Sequence, residues 1–311
     1  MVKPLLIPLT YFCLQTWLGI PQAKLQVNLS MMDDAFDDQY LRCGEKMDGI
    51  ARDLIQSEMS PFSPVWENAT EKWNNVKKTL ALPNGFKDEY GIAIVAYTDN
   101  RTYNGKILPT TFNDAVSGTN RSRAASMANF QFQAFHYYLT RALQLLWEKS
   151  GGCNVMYNMT VYRGVPVSFQ HSGGNIRFGY FASSSINKEV AEGFRTKRAL
   201  EKGSLFIIHT CLGVKIQNMS HNPEQEEVLI PVYEIFSVSR GQEENSFYLR
   251  STNRTCSHFN CAYLGGEKTQ TCVYNSATRG GITFPSELSP PLFGGSVILI
   301  HVAALNLFTG F

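Results

Sequence analysis

The spacing of apolar residues changes near Cys153, and this change limits the folds that the chain can adopt. Before it, apolar residues recur at helical spacing, as in residues 112–116 and 130–147. After it come short runs rich in β-branched and aromatic residues, separated by Gly, Asn, Ser or charged residues. The pattern predicts an α+β fold, in which an N-terminal helical half packs on a C-terminal β-rich core.

The β-rich half is predicted to contain five strands and one helix. The strands are residues 161–165, 176–185, 205–214, 228–239 and 247–251, and the helix is 187–200. The apolar run 91–98 is short, so its periodicity leaves open whether it is a buried strand or a buried helix. Asp37 or Asp38 is expected to cap a helix that continues through Cys43 and Met47. No linker separates the halves, so we expect residues 24–275 to form one domain.

Both ends of the chain have the composition of targeting signals. Lys3 is followed by an apolar run and then by small or polar residues, which predicts a signal peptide over residues 1–23. Residues 276–311 combine a polar spacer with an apolar tail that has no charge after Glu287, which is typical of a GPI-attachment signal. The alternative for the tail is a buried C-terminal strand or helix. We therefore expect a GPI-anchored protein on the extracellular face, or else a secreted or lumenal one.

Glycosylation motifs and cysteines agree with export from the cytosol. Sequons begin at Asn28, Asn68, Asn100, Asn120, Asn158, Asn218 and Asn253. Cys13 lies in the predicted signal peptide, which leaves six cysteines, an even number that favours disulfides. A zinc site from His258 with the nearby cysteines matches no standard finger spacing, so no metal is expected. The net charge of +2 is too small to indicate nucleic acid binding.

Three polar sites on predicted strands suggest chemistry. Arg163 lies within an apolar strand, Ser183 begins a triple serine, and Glu227 ends an acidic run that leads directly into another strand. Taken singly, they are a surface arginine, a serine turn and a solvated acidic turn. Together, an arginine suits phosphate, a hydroxyl can bind a ribose or orient a carboxylate, and a carboxylate can stabilise an oxocarbenium-like sugar.

With these residues the chain resembles the vertebrate ecto-ADP-ribosyltransferases, the arginine-specific family with an Arg, a Ser and a Glu-x-Glu on successive strands. The matching residues are Arg163 in VYRGV, Ser183 in FASSS and Glu227 in QEEVLIP. Further similar blocks are residues 36–40, 91–97, 135–146, 176–179 and 210–213, so the resemblance covers about residues 33–262. It implies two facing sheets around an NAD cleft, with helices packed from the N-terminal part.

The resemblance also implies site residues and disulfides. Arg163, Gly164, Ser183 and Glu227 are expected to bind NAD, or NADP in its place, and Glu227 to stabilise the ribose as nicotinamide leaves. The acceptor is expected to be an arginine of an extracellular or cell-surface protein. By family correspondence the disulfides are Cys43–Cys261 and Cys153–Cys211, which leaves Cys256 and Cys272 to pair with each other.

The chain departs from the family pattern at Gln225, where the first glutamate of Glu-x-Glu is expected. A carboxamide can hydrogen-bond a guanidinium but carries no charge to pair with it. Loss of a charge-assisted hydrogen bond costs about 1.5–3 kcal/mol, or roughly 10- to 150-fold in transfer to arginine. The leading prediction is a protein-arginine mono-ADP-ribosyltransferase. The alternatives are an enzyme that mainly hydrolyses NAD, and an inactive surface antigen or binding module.

Overall fold

The computed structural model describes residues 26–118, 122–156, 158–196 and 203–276. The predicted signal peptide, residues 277–311 of the predicted spacer and attachment signal, and Asn120 lie outside these ranges. Within them, no helix is both long and apolar enough to cross a membrane. Helices dominate before Cys153 and strands after it, which confirms the α+β class.

Eight helices are described, seven of which precede the main sheet strands. They are α1 (Gly44–Met59), α2 (Ser63–Val76), α3 (Asp88–Tyr97), α4 (Leu108–Ser117), α5 (Arg123–Asn129), α6 (Gln133–Lys149), α7 (Cys153–Met156) and α8 (Lys188–Thr196). The undecided apolar run is therefore a helix, α3, and its residues from Tyr90 to Tyr97 are all buried. Gly91 permits this packing, because a Cβ there would lie 2.4 Å from the ring of Trp73.

Ten strands are described. They are β1 (Gln26–Asn28), β2 (Val161–Val165), β3 (Ser168–Gln170), β4 (Ala182–Ser185), β5 (Ser204–His209), β6 (Val214–Lys215), β7 (Glu227–Ile230), β8 (Glu234–Arg240), β9 (Ser246–Ser257) and β10 (Val273–Ser276). The family resemblance suggested two facing sheets. Hydrogen bonds instead connect eight strands into one sheet. Seven of them follow the order β10-β9-β5-β2-β4-β7-β6, and β8 also pairs with β9. The strands β1 and β3 form a separate two-stranded sheet.

The sheet has a separate apolar cluster on each face. Along β7, Leu229 packs with the helices, whereas Val228 and Ile230 pack in a second cluster with strand residues such as Phe206 and Phe236. Successive side chains of a strand point to opposite faces, which explains this division. Glu227 is two residues before Leu229 and so shares the face that the helices cover.

Three predicted strands are shorter than the sequence pattern suggested. The stretch 176–185 is a strand only from Ala182 onward, because Gly179 adopts φ 71°. The stretch 205–214 is interrupted after His209 by a turn whose backbone N–H groups at Cys211 and Leu212 donate to the buried carboxylate of Glu234. The stretch 228–239 is divided between β7 and β8, with Pro231, which has no N–H, at the division.

Asp37 and Asp38 do not cap a helix, so that prediction was wrong. The helix begins later, at Gly44. Asp37 accepts from the backbone N–H groups of His258 and Phe259, and Asp38 accepts from those of Cys261 and Ala262. Both carboxylates are fully buried, and Asp37 also pairs with the buried guanidinium of Arg177 at 2.6 Å. These acidic residues join the N-terminal segment to the chain beyond β9.

The cysteines form three disulfides, Cys43–Cys261, Cys153–Cys211 and Cys256–Cys272. The first two connect the helical part of the chain to the β-rich part, across 218 and 58 residues. His258 lies beside the third, with possible ligand atoms within 4.8 Å of one another. Both sulfurs of that group are bonded to each other, and a zinc ligand must be a thiolate, so this arrangement of the cysteines does not supply a zinc site.

Candidate active site

A cleft of about 250 Å³ lies between the sheet and the helices α3 and α8. It is lined by Arg163, Ser183 and Glu227, among others. These three residues come from β2, β4 and β7, which are neighbours in the sheet. The antiparallel register pairs Ser183 with Leu229 and Ser185 with Glu227. Directly paired residues share a face, so both serines and Glu227 point to the side of the sheet that carries the cleft. Arg163 joins them through a hydrogen bond to the carbonyl oxygen of Ser183, so the cleft brings all three predicted residues together.

Arg163 is held in place by Ser183 on β4 and by Tyr180, which precedes that strand. Its guanidinium donates to the carbonyl oxygen of Ser183 at 2.6 Å and lies over the ring of Tyr180, 5.4 Å from the centroid. The Nε–H of Arg163 is buried and has no hydrogen-bond partner among the residues that the structure describes. A fixed cation with an unused donor is suited to bind an anionic or hydroxylated ligand in the cleft.

Glu227 is a carboxylate with little access to water. Its exposed fraction is 7%. Burial raises the pKa of Glu227, whereas hydrogen bonds from Ser183 and Ser220 and the charge of Arg163 lower it. The nearby donors and the guanidinium therefore oppose the desolvation that favours the neutral acid. A buried carboxylate next to an arginine is an arrangement that can stabilise positive charge developing on a bound sugar.

Tyr97 and Asn113 also support the site, and sequence analysis did not identify either of them. The Tyr97 hydroxyl donates to the carbonyl oxygen of Phe181 at 2.7 Å and accepts from the side-chain amide of Asn113 at 2.8 Å. Burial raises the pKa of Tyr97 to about 12, and Ser183 is among its hydrogen-bond partners. Tyr97 is the last residue of the apolar run on α3, and nothing in that pattern distinguishes it from a core residue.

Gly164 has a steric role that is visible in the structure. It lines the cleft, and a Cβ at this position would lie 1.7 Å from the backbone oxygen of Ala191. Helix α8 therefore contacts the backbone of β2 directly, and only glycine permits this approach. Close packing of α8 forms one wall of the cleft, through Val190, Ala191 and Phe194.

Gln225 lines the cleft, but it is not part of a strand. Residues Pro223–Gln225 form a 3₁₀ turn, and Glu226 has a left-handed backbone with φ 46°. Residues 225 and 226 therefore precede the strand β7, which begins at Glu227. Gln225 is half-buried and lines the cleft, and its carbonyl oxygen accepts from the Ser185 hydroxyl at 2.7 Å.

Comparison with known proteins places this geometry in a family. Residues 29–257 match the family model described as NAD:arginine ADP-ribosyltransferase. The chain is 42% identical over 295 residues to ecto-ADP-ribosyltransferase 5 of Rattus norvegicus, covering 92% of each chain. It is 40% identical over 265 residues to T-cell ecto-ADP-ribosyltransferase 2 of Rattus norvegicus, covering 83% of this chain and 89% of the relative.

Solved structures agree with the sequence matches. A glutamate-to-alanine mutant of the mono-ADP-ribosyltransferase ART2.2 in complex with NADH superimposes with a TM-score of 0.65 at 41% identity. A glutamate-to-isoleucine mutant of ART2.2 in complex with NAD gives 0.64 at 40% identity. Each match covers 76% of this chain and 99% of the solved chain. This chain therefore belongs to the NAD:arginine ADP-ribosyltransferase family, whose members use NAD as the substrate.

Proposed function

We propose that this protein transfers a single ADP-ribose unit from NAD to arginine side chains of other proteins, and releases nicotinamide. The observation that carries the proposal is the meeting of Arg163, Ser183 and buried Glu227 from three neighbouring strands in one cleft. Family membership and the NAD and NADH complexes of ART2.2 support the choice of substrate.

Each cleft residue has a role that follows from its chemistry. Arg163 holds the phosphates or the nicotinamide-side ribose, with Gly164 beside it, and Ser183 positions the ribose and Glu227. When the bond between nicotinamide and ribose breaks, nicotinamide leaves with the electron pair and positive charge develops on the ribose. Glu227 hydrogen-bonds the ribose 2′-hydroxyl and stabilises that charge. A guanidinium nitrogen of the acceptor then forms a bond to the ribose and loses a proton.

Hydrolysis of NAD is the second candidate, and Gln225 is the observation that favours it. Gln225 lines the cleft but offers the acceptor a neutral carboxamide. An incoming guanidinium is therefore bound less strongly than by a carboxylate, whereas water needs no such partner. Glu227 is retained, so cleavage of NAD itself does not depend on Gln225.

Labelled NAD separates these candidates. We would incubate the ectodomain, about residues 24–275, with labelled NAD in the presence and absence of an arginine analogue. The proposal predicts labelled analogue together with free ADP-ribose. Free ADP-ribose alone supports hydrolysis as the function, and unchanged NAD supports an inactive binding module.

We also propose that the protein acts outside the cell. The three disulfides fit an oxidising compartment, and the named relatives are ecto-enzymes. Among the predicted sequons, five asparagines are exposed and Asn68 is half-buried; the exposed ones are Asn28, Asn100, Asn158, Asn218 and Asn253. Release of the protein from intact cells by a phosphatidylinositol-specific phospholipase C tests the predicted lipid anchor, and full retention on the cells contradicts it.

A further inference from the structure

Ser220 was assigned by sequence analysis only to a glycosylation motif, as the third residue of the sequon at Asn218. The structure gives its hydroxyl a different environment. Ser220 is 2% exposed, whereas Asn218, two residues earlier, is exposed. Ser220 follows the 3₁₀ turn Gln217–Met219 and lies inside the protein, next to the base of the cleft.

The hydrogen bonds of Ser220 direct its proton toward Glu227. The Ser220 oxygen accepts from the backbone N–H of Asn222 at 3.0 Å. Its own O–H donates to Oε2 of Glu227, at 3.4 Å. This is longer than the typical O–H···O distance of about 2.7 Å, and hydrogen bonds at active sites often shorten when substrate binds.

The loop that carries Ser220 is fixed on both sides. The backbone N–H of Ser220 donates to the carbonyl oxygen of Gln217 at 3.2 Å, and that of His221 donates to the hydroxyl of Thr98 at 2.9 Å. The N–H of Ile216 donates to the backbone oxygen of Glu227 at 2.9 Å. Met219 is buried in the core formed by the helices. Ser220 therefore has a defined position relative to β7.

We propose that Ser220 is a positioning residue for Glu227, a second hydroxyl besides Ser183, supplied by the loop before β7. The hydroxyl orients the carboxylate and favours its ionised form before NAD binds. This inference rests on the proposed role of Glu227 in NAD cleavage.

The test compares Ser220→Ala with Asn218→Gln, because both changes remove the sequon and only the first removes the hydroxyl. Nicotinamide release and NAD concentration dependence give kcat and KM, and thermal unfolding shows that each variant is folded. We expect Ser220→Ala to lower kcat about tenfold with little change in KM for NAD, which is the lower end for a hydrogen bond to a charged group. Asn218→Gln should retain the wild-type kcat.

The pH profile adds a readout that a purely structural role would not change. Arg163 from β2 and Tyr97 from α3 interact electrostatically with Glu227, and His221 follows Ser220 in the loop. An arginine stays charged over the range used, burial raises the pKa of Tyr97 to about 12, and burial lowers the pKa of His221. Loss of the Ser220 donor should raise the pKa of Glu227 and move the acid limb of kcat/KM about one pH unit upward.

The same shift is expected in a His221→Gln background, which removes the titratable side chain next to Ser220 in the loop. The inference is wrong if Ser220→Ala keeps the wild-type kcat and the wild-type acid limb of kcat/KM. It is also wrong if Asn218→Gln lowers kcat as much as Ser220→Ala does. Either result leaves the proposed function intact as long as the wild type releases nicotinamide. If the wild type releases none, the proposed function itself fails.

Discussion

Gln225→Glu should increase the transfer of ADP-ribose to arginine relative to hydrolysis. The change introduces a carboxylate at a residue that lines the cleft and alters the side chain by a single heavy atom. The backbone there is held by contacts that do not involve the side chain, because the Gln225 carbonyl accepts from Ser185 and its N–H donates to the carbonyl oxygen of Asn222 at 3.0 Å. We therefore expect the turn to keep its conformation.

The expected size of this effect follows from hydrogen-bond energies. A neutral hydrogen bond contributes about 0.5–1.5 kcal/mol, and one to a charged group about 1.5–3 kcal/mol. Gln225 can accept a hydrogen bond from the guanidinium but has no charge to pair with it, so we take the gain as the difference between these two ranges, about 1–1.5 kcal/mol, or roughly tenfold in rate. The new carboxylate also repels Glu227, which raises the pKa of Glu227 and slows NAD cleavage for both acceptors. The ratio of ADP-ribosylated arginine to free ADP-ribose does not depend on this slower cleavage of NAD, because the cleavage precedes both products.

The assay measures ADP-ribosylated arginine analogue and free ADP-ribose from the same labelled NAD. Gln217→Glu is the matched control, because Gln217 belongs to the same loop but does not line the cleft. We expect the product ratio to rise about tenfold for Gln225→Glu and to stay constant for Gln217→Glu. An unchanged ratio in a Gln225→Glu enzyme that still cleaves NAD would refute the role given to this residue.

Two further predictions concern stability. Gly164→Ala should destabilise the protein by about 1–3 kcal/mol or prevent folding, because the new Cβ would lie 1.7 Å from the backbone oxygen of Ala191 on α8. Gly193→Ala, also on α8, is the control in denaturant unfolding: no atom lies within 4 Å of its Cβ, so the change should be neutral or stabilising. Burial raises the pKa of Glu58 from 4.5 to about 7, so its contribution to stability is fully present below pH 4.5 and is lost as pH rises through 7. The free energy of unfolding should therefore fall by up to about 3 kcal/mol across this interval, and Glu58→Gln should remove that part of the pH dependence, which urea unfolding at several pH values measures.

The sequence was sufficient to predict the helices, strands and site residues that are recognisable from their immediate neighbours in the chain. Helical spacing before Cys153 and β-branched runs after it fix which elements form, and Arg163, Ser183 and Glu227 could be proposed because each stands in a recognisable strand motif. The run 91–98 could not be decided, since a helix buried on every side has no polar face to reveal its period.

The features that were missed depend on contacts between distant parts of the chain. Asp37 and Asp38 resemble helix caps in sequence, and only the fold shows that they bind backbone groups more than 200 residues away. Ser220 has the sequence of a glycosylation motif, and its contact with Glu227 depends on how the preceding loop is anchored. Gln225 was placed at the site by its position in the family pattern, and the left-handed residue Glu226 was not anticipated because a non-glycine residue rarely adopts positive φ.

Release of nicotinamide from NAD by Glu227→Ala, compared with Glu224→Ala and the wild type, tests whether Glu227 is needed for NAD cleavage in this cleft. Glu224 is the matched control because it is an exposed glutamate three residues earlier in the same acidic run. We expect the Glu227→Ala protein, shown to be folded by its thermal transition, to release no nicotinamide above background. Glu224→Ala should release nicotinamide at the wild-type rate. Wild-type release by Glu227→Ala would contradict the assignment of this cleft as the site of NAD cleavage.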